Sequence, residues 1–239
     1  MSRFLVIFPV ILLACKAQLI TKFQLCPRSD PNLNKCLKSA IQGGLAVLKN
    51  GVQEFDIPPL DHLKVPSYTV KAAPPLDFDQ VYTDIKLHGH VSSEVKDVDV
   101  KITDTDFTLV LNMFTDEVTF ECNYDYQNAI FDGIDMSGKG KTVLTVGKYS
   151  FTATFTGVIS QYLEITKVTV TNVNIESAHF DYKSEDVKSG ELLSSHFNEK
   201  WETLITKEKQ KFIPLYEGAY KNEANAVFSK IPFDQLFPK

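Results

Sequence analysis

This sequence carries none of the short patterns that announce an enzyme, a nucleotide site or a metal centre. It has no Gly-x-Ser-x-Gly elbow and no cysteine–histidine pair arranged for nucleophilic attack, which removes the familiar acyl-transfer chemistries. Gly138-Lys139-Gly140 is not a phosphate loop. The Lys-Ser/Thr ending is missing, and strand-forming residues follow where a phosphate site needs a helix N-terminus. Asp97, Asp99, Asp104 and Asp106 lack the spacing and the closing glutamate of a calcium loop, and Val98, Val100 and Ile102 alternate with them as on a solvated strand edge. Of the five histidines (His62, His88, His90, His179 and His196), His88 and His90 stand at i and i+2. Two ligands fall short of the three or four that zinc requires, so both read as exposed strand residues. The expectation is no enzyme activity, no metal and no cofactor.

Positive charge is scarce as well. Lys and Arg number 25 against 30 Asp and Glu, a net charge of −5. An acidic chain is repelled by phosphates, so neither nucleic acid nor an anionic lipid surface is an expected partner. Lys207, Lys209 and Lys211 cluster, but Glu208 sits among them and Glu199 and Glu202 lie upstream, the pattern of a solvated helix face. Long apolar runs are missing too. Phe4 to Leu13 is apolar apart from Pro9, a stretch of about 10 residues where a bilayer needs ~20. With Met1-Ser2-Arg3 before it and Ala14-Cys15-Lys16-Ala17 after it, the segment reads as a secretory signal peptide over 1–17, followed by a mature protein without stable membrane insertion. Cleavage removes Arg3 and Lys16 and takes the net charge from −5 to −7.

No Pro/Gly/Ser linker, internal repeat or composition shift divides residues 18–239, so they read as one domain. Cleavage after Ala17 also removes Cys15 and leaves Cys26, Cys36 and Cys122 of the four cysteines. In an oxidising compartment Cys26 pairs with Cys36, pinning the N-terminal arm to the first helix. Cys122 is left odd. Alternation puts it with Val118, Phe120 and Tyr124, where a thiol acts as a small hydrophobe; a reactive or intermolecular thiol is the other reading.

Three regions follow along the chain. Leu33, Leu37, Ile41, Leu45 and Leu48 recur at helical spacing, with Asp30 or Asn32 as cap, Pro31 in the first turn and Gly51 just past the end. Pro58, Pro59 and Pro66 then forbid regular structure over 57–66. From about Val65 to Asp181 the period is two, with Tyr149, Phe151, Ala153 and Phe155 opposite Ser150, Thr152, Thr154 and Thr156. Turn signals fall at 103–106, 115–117, 137–140 and 146–148. From about Glu191 to Lys230 the helical period returns through Leu193, Phe197, Trp201, Leu204, Ile205, Phe212 and Leu215 or Tyr216, with Ser194 or Ser195 as cap and a kink or split expected at Pro214. The fold class that follows is α+β: a highly curved antiparallel sheet wrapped around one long C-terminal helix, with a short N-terminal helix.

Several segments carry a resemblance. Cys26, Pro27, Asp30, Pro31, Leu33, Asn34 and Cys36, then Ile57-Pro58-Pro59-Leu60-Asp61, Ser137-Gly138-Lys139-Gly140, Phe197-Asn198-Glu199-Lys200-Trp201 and the tail Phe228 to Pro238 resemble the insect takeout proteins of the juvenile hormone-binding superfamily. His62 departs from the pattern by replacing a usual proline, and Cys122 has no mate where the juvenile hormone carriers have a second disulfide, so the takeout branch fits better. The resemblance implies half of a tubular lipid-binding fold, a monomer in haemolymph or another extracellular fluid, and an internal tunnel for a small hydrophobic ligand: a juvenile hormone-like terpenoid, a fatty acid or another lipid. It also implies a link to circadian, feeding or chemosensory physiology. The inward strand faces and the helix stripe nominate Phe107, Leu109, Leu111, Phe120, Phe151, Phe155, Phe197, Trp201 and Leu204 as tunnel lining, although for any single one of them packing of a filled core is the more frequent role. The alternative is an extracellular signalling protein that meets an unknown receptor through its surface and carries no ligand.

Overall fold

The computed structural model describes residues 22–53 and 56–239, so the expected signal peptide lies outside the described residues. Helix α1 (Leu33–Leu48) is followed by strands β1 (His62–Val70), β2 (Gln80–His88), β3 (Glu94–Ile102), β4 (Asp106–Tyr126), the small hairpin β5 (Ile130–Phe131) and β6 (Ile134–Asp135), then β7 (Gly138–Ile159), β8 (Leu163–Asn174) and β9 (Ser177–Ser184). Helices α2 (Val187–Glu199), α3 (Trp201–Phe228) and α4 (Phe233–Leu236) complete the chain. The result is an α+β fold with a seven-stranded antiparallel sheet and a long C-terminal helix.

The spine of the sheet is the pair β4 and β7, 21 and 22 residues long. At ~3.3 Å per residue each runs about 70 Å, far beyond an ordinary strand. Each is long enough to carry two neighbours on its outer edge. β3 pairs with Phe107 to Phe114 of β4 and β2 with Thr119 to Tyr126; β8 pairs with Ser150 to Ile159 of β7 and β9 with Gly140 to Gly147. The sheet therefore has two halves on one spine, and the buried apolar residues divide into two main clusters accordingly.

The expected turns at 115–117 and 146–148 are not turns. Both lie inside the spine, directly across from each other, with Thr115 opposite Tyr149 and Glu117 opposite Gly147. Along β4 the buried positions are odd-numbered up to Thr115 and even-numbered from Val118; β7 changes phase the other way between Val146 and Tyr149. An extra residue in each strand (Asp116, and Lys148 at φ 52°) keeps the apolar side facing inward on both sides of this waist. The two residues form an ion pair on the outer surface.

Two further expectations need correction. Residues 57–66 are not wholly irregular, because β1 begins at His62 and includes Pro66. β1 lies at the end of the sheet order, and Val65 and Ser67 pair with Ile85 and Thr83 while Pro66 and Asp84 are skipped, so the missing N–H falls on an edge strand where the ladder is interrupted. The C-terminal helix divides at Lys200 (φ −105°, ψ 11°) and Pro214 lies within α3. The cap of α2 is Asp186, which accepts from Ser189 N–H at 3.1 Å, in place of Ser194 or Ser195. At ~1.5 Å per residue, the 28 residues of α3 extend about 42 Å. Its buried positions Leu204, Glu208, Leu215 and Ala219 form one stripe.

Amides hold the helices to sheet edges. Asn198 accepts from Phe180 N–H and donates to its carbonyl, both at 2.8 Å, and Asn225 does the same to Ile165 at 2.8 and 2.9 Å. Gln42 of α1 accepts from Val95 N–H at 2.8 Å and donates to the Ser93 carbonyl at 3.1 Å. The edges of β8, β9 and β3 are covered in this way. A disulfide joins Cys26 to Cys36 at the start of α1.

Candidate ligand cavity

The sheet and helices leave interior space on both sides of the waist. The larger cavity has a volume of about 280 Å³ and the smaller about 90 Å³. An apolar void of ~150 Å³ takes one benzene, so by proportion the larger holds about eleven non-hydrogen atoms.

The larger cavity lies in the half built on β3 and β8. Phe107, Leu109 and Leu111 of β4 and Phe151 and Phe155 of β7 line it, as sequence alternation suggests. Phe120, Phe197 and Leu204 line the smaller cavity. The nominated residues are thus brought to two separate cavities, with one exception. Trp201 lines neither, because it is the first residue after the Lys200 break and packs from the side against the cluster around the smaller cavity. Sequence reading missed a whole wall of the larger cavity, which α1 supplies through Leu37, Ile41, Leu45 and Leu48. The apolar stripe of α1 was the available signal. The tail closes the other side through Ile231, Leu236 and Phe237.

An aromatic partition occupies the waist. His90 packs against Tyr149, Tyr216 and Tyr220 at ring-centroid distances of 5.8, 5.5 and 5.6 Å, and Phe151 stacks on Tyr220 at 5.6 Å. β4 lines the larger cavity up to Met113 and the smaller from Val118; β7 lines the smaller up to Tyr149 and the larger from Phe151. The phase change in the spine and the division of the interior fall at the same place.

His90 is not the exposed strand residue that its spacing from His88 suggests. Strand β2 ends at His88; Gly89 turns with φ +89°, and a single 3-10 turn, His90–Ser92, carries His90 inward. A Cβ on residue 89 would lie 2.5 Å from the Glu117 carbonyl oxygen, so only glycine allows the turn this close to the waist. The Tyr220 hydroxyl lies 2.8 Å from His90 Nδ1, and His90 Nε2 is buried without a hydrogen-bond partner. Burial, aided by the nearby His88, lowers the His90 pKa to about 4, so the ring is neutral at physiological pH. Glu223, which also lines the larger cavity, has a buried Oε2 without a partner, and desolvation raises its carboxyl above the usual range.

The smaller cavity is more polar and carries a chain of hydrogen bonds, although Thr142 Oγ1 is buried there without a partner. Glu208, 6% exposed, accepts from Lys211 Nζ at 2.7 Å and from Gln80 Nε2 at 3.0 Å. Tyr82 donates to Gln80 Oε1 at 2.9 Å, and the hydroxyls of Tyr82, Tyr126 and Tyr182 continue the chain at 2.8 and 3.0 Å. The expected solvated face at 207–211 is therefore wrong at its centre. Glu208 is the inward member of the stripe, and Lys209 and Lys211 reach over the sheet to the carbonyls of Val173 and Ala73.

On the outer surface Asp61, His62 and His88 each present one potential ligand atom, all within 4.8 Å of one another. His62 and His88 are directly opposite in β1 and β2, a pairing invisible to sequence spacing. Cys122 is buried, and burial pushes its thiol well above the ordinary range. No helix among the described residues is long and apolar enough to cross a membrane.

Comparison with known proteins agrees with this architecture. Residues 5–238 match the family model described as haemolymph juvenile hormone binding protein, and the chain belongs to that family. Among solved structures it is similar to takeout 1 of Epiphyas postvittana, with a TM-score of 0.72 and 15% identity over 90% of this chain and 100% of that one. At that identity the likeness is one of fold. No curated protein matches.

Proposed function

We propose that this member of the haemolymph juvenile hormone binding protein family is a secreted carrier that holds one small hydrophobic molecule, a terpenoid or another lipid, in the larger cavity. The observation that carries this reading is the cavity itself: about 280 Å³ walled by leucine, isoleucine, valine, alanine and phenylalanine from α1, β4, β7, α3 and the tail. An apolar void of that size excludes water and accepts apolar guests. Ten methylenes transferred into it supply about 8 kcal/mol before the cost of lost motion, which caps the affinity of a ligand confined there at about micromolar. Secretion is supported by the leader-like sequence of residues 1–17 and by the Cys26–Cys36 disulfide, a bond that persists in oxidising compartments.

Carriage without turnover is part of the same reading. Among the described residues that line the cavities, no serine, threonine or free cysteine shares a cavity with a histidine: Cys26, in the larger cavity with His90, is disulfide-bonded, and Thr142 stands in the other cavity. The test is organic extraction of the natively purified secreted protein, mass spectrometry of the extract, and displacement of a fluorescent apolar probe. A stoichiometric lipid or isoprenoid, or displacement at micromolar concentration, supports the carrier. An empty extract with no displacement across terpenoids, alcohols and fatty acids sinks it and favours a receptor-binding surface.

A further inference from the structure

The larger cavity is apolar with a polar exception. Its polar side chains are Gln24, exposed at the rim and bonded to Cys36 Sγ at 3.5 Å, then Tyr220, His90 and Glu223. His90 is 7% exposed and Glu223 Oε2 is buried, yet neither His90 Nε2 nor Glu223 Oε2 has a hydrogen-bond partner. Leaving a buried polar atom unpaired costs on the order of 1–3 kcal/mol, so two in one cavity call for an explanation. Both line the same cavity. Tyr220, which holds His90 Nδ1, and Glu223 are three residues apart on α3, a spacing that sets their Cβ atoms about 5–6 Å apart on one face.

We propose that His90 and Glu223 form a polar anchor for the ligand's head, and that the ligand is an apolar chain ending in an uncharged oxygen function: an alcohol, aldehyde, ketone or ester. The anchor presupposes the carrier reading and specifies its ligand class. Two features set the head's chemistry. No lysine or arginine lines this cavity among the described residues, so a carboxylate would enter without a counter-ion and beside a glutamate. The His90 ring can serve donors and acceptors alike. With the Tyr220 hydroxyl donating to Nδ1, Nε2 carries the proton and donates; with Nδ1 donating to Tyr220, Nε2 accepts. Glu223 Oε2, buried without a partner, can accept a hydrogen bond from an alcohol.

The experiment compares decane, 1-decanol and decanoate as displacers of a fluorescent apolar probe at pH 8, on the full secreted protein and on the variants His90→Phe and Glu223→Leu. Wild type is expected to bind decanol at least tenfold more tightly than decanoate. Each variant should lose about tenfold for decanol, the worth of one hydrogen bond, and stay within about twofold for decane. Glu223 is only partly buried, so its variant tests the anchor even if His90→Phe fails to fold. Equal losses for decanol and decane would show that the residues merely support the cavity, and decanoate binding as tightly as decanol would refute the uncharged head. Either result overturns the anchor and leaves the carrier standing. A wild type that binds neither the probe nor any of the three ligands overturns both.

Discussion

Replacing Tyr216 with alanine should change the length of chain the protein accepts. Tyr216 lines the smaller cavity, and its ring lies 5.5 Å from that of His90, which lines the larger. In the wild type a ligand confined to the larger cavity gains ~0.8 kcal/mol per methylene, about fourfold in Kd, until about eleven non-hydrogen atoms fill the space. Across a series of 1-alkanols the affinity should rise steeply to about decanol and then level off. Removing the phenol joins the two cavities. The 90 Å³ of the smaller cavity adds room for about four atoms at the same density, and the missing ring and hydroxyl vacate room for about seven more. The break should move to chains of about twenty carbons.

The substitution also costs stability. Truncating a fully buried aromatic side chain to alanine costs about 3–5 kcal/mol, so the partly buried Tyr216 sets a cost below that range, and a long alkanol that fills the void should restore part of it through mass action. The assay is probe displacement with alkanols from six to twenty carbons, alongside thermal melts with and without hexadecanol. An unchanged break point in a folded variant would show that the aromatic partition does not limit chain length. A wild-type series that climbs smoothly past sixteen carbons would show that the two cavities already communicate.

Lys211→Met should strand the Glu208 charge and lower stability by about 3 kcal/mol, read as a drop in Tm, while the double variant with Glu208→Gln should recover most of it. His90 contributes to pH dependence with a fixed sign. Its folded pKa, about 4, lies below the ordinary histidine value of 6.5, so the unfolded chain binds the extra proton first and stability falls as pH drops through that window. His90→Phe should flatten that part of a Tm–pH curve, and an unchanged slope would refute the burial of a neutral ring. Glu223 acts in the opposite sense: its carboxyl is raised, so stability falls as pH rises from about 4.5, and Glu223→Gln should raise Tm more at pH 7 than at pH 4. Cys122 should resist iodoacetamide at pH 8 in the native protein and react fully in guanidinium; rapid native labelling would contradict its burial.

The outline of the fold was legible because two periodicities are written plainly in the chain. The stripe from Leu33 to Leu48 and the alternation from Phe107 onward each put apolar residues on one side, and a sheet and helices follow. What sequence misplaced were features decided by contacts between distant segments. The helix divides at Lys200 and not at Pro214 because α2 and α3 serve different strands. Asn198 anchors one to β9, while Glu217 and Asn225 anchor the other to β8. Pro214 can remain inside α3 because packing supports the surrounding turns. The Thr115–Glu117 and Val146–Lys148 signals look like turns because polar and glycine residues interrupt an apolar alternation. Only the register shows the two interruptions facing each other, as the joint where both spine strands change phase.

The interior was legible in its apolar part and hidden in its polar part, and the reason is the same for each hidden residue. Alternation finds a leucine or phenylalanine that points inward, since solvent has no use for it; it says nothing of a histidine or glutamate, which solvent accepts readily. Glu208 keeps the spacing of the buried stripe, four residues from Leu204 and seven before Leu215, but its charge and its lysine neighbours suggest the surface. His90 is harder still, because the residue that turns it inward is Gly89. A glycine between two histidines at a strand end fits an ordinary turn equally well, and only the 2.5 Å approach to Glu117 shows why no other residue serves. The polar groups buried here therefore carry more information about the ligand than the apolar wall does. The wall admits any hydrocarbon that fits, whereas an unpaired imidazole nitrogen and carboxyl oxygen leave a specific deficit that an uncharged oxygen can fill.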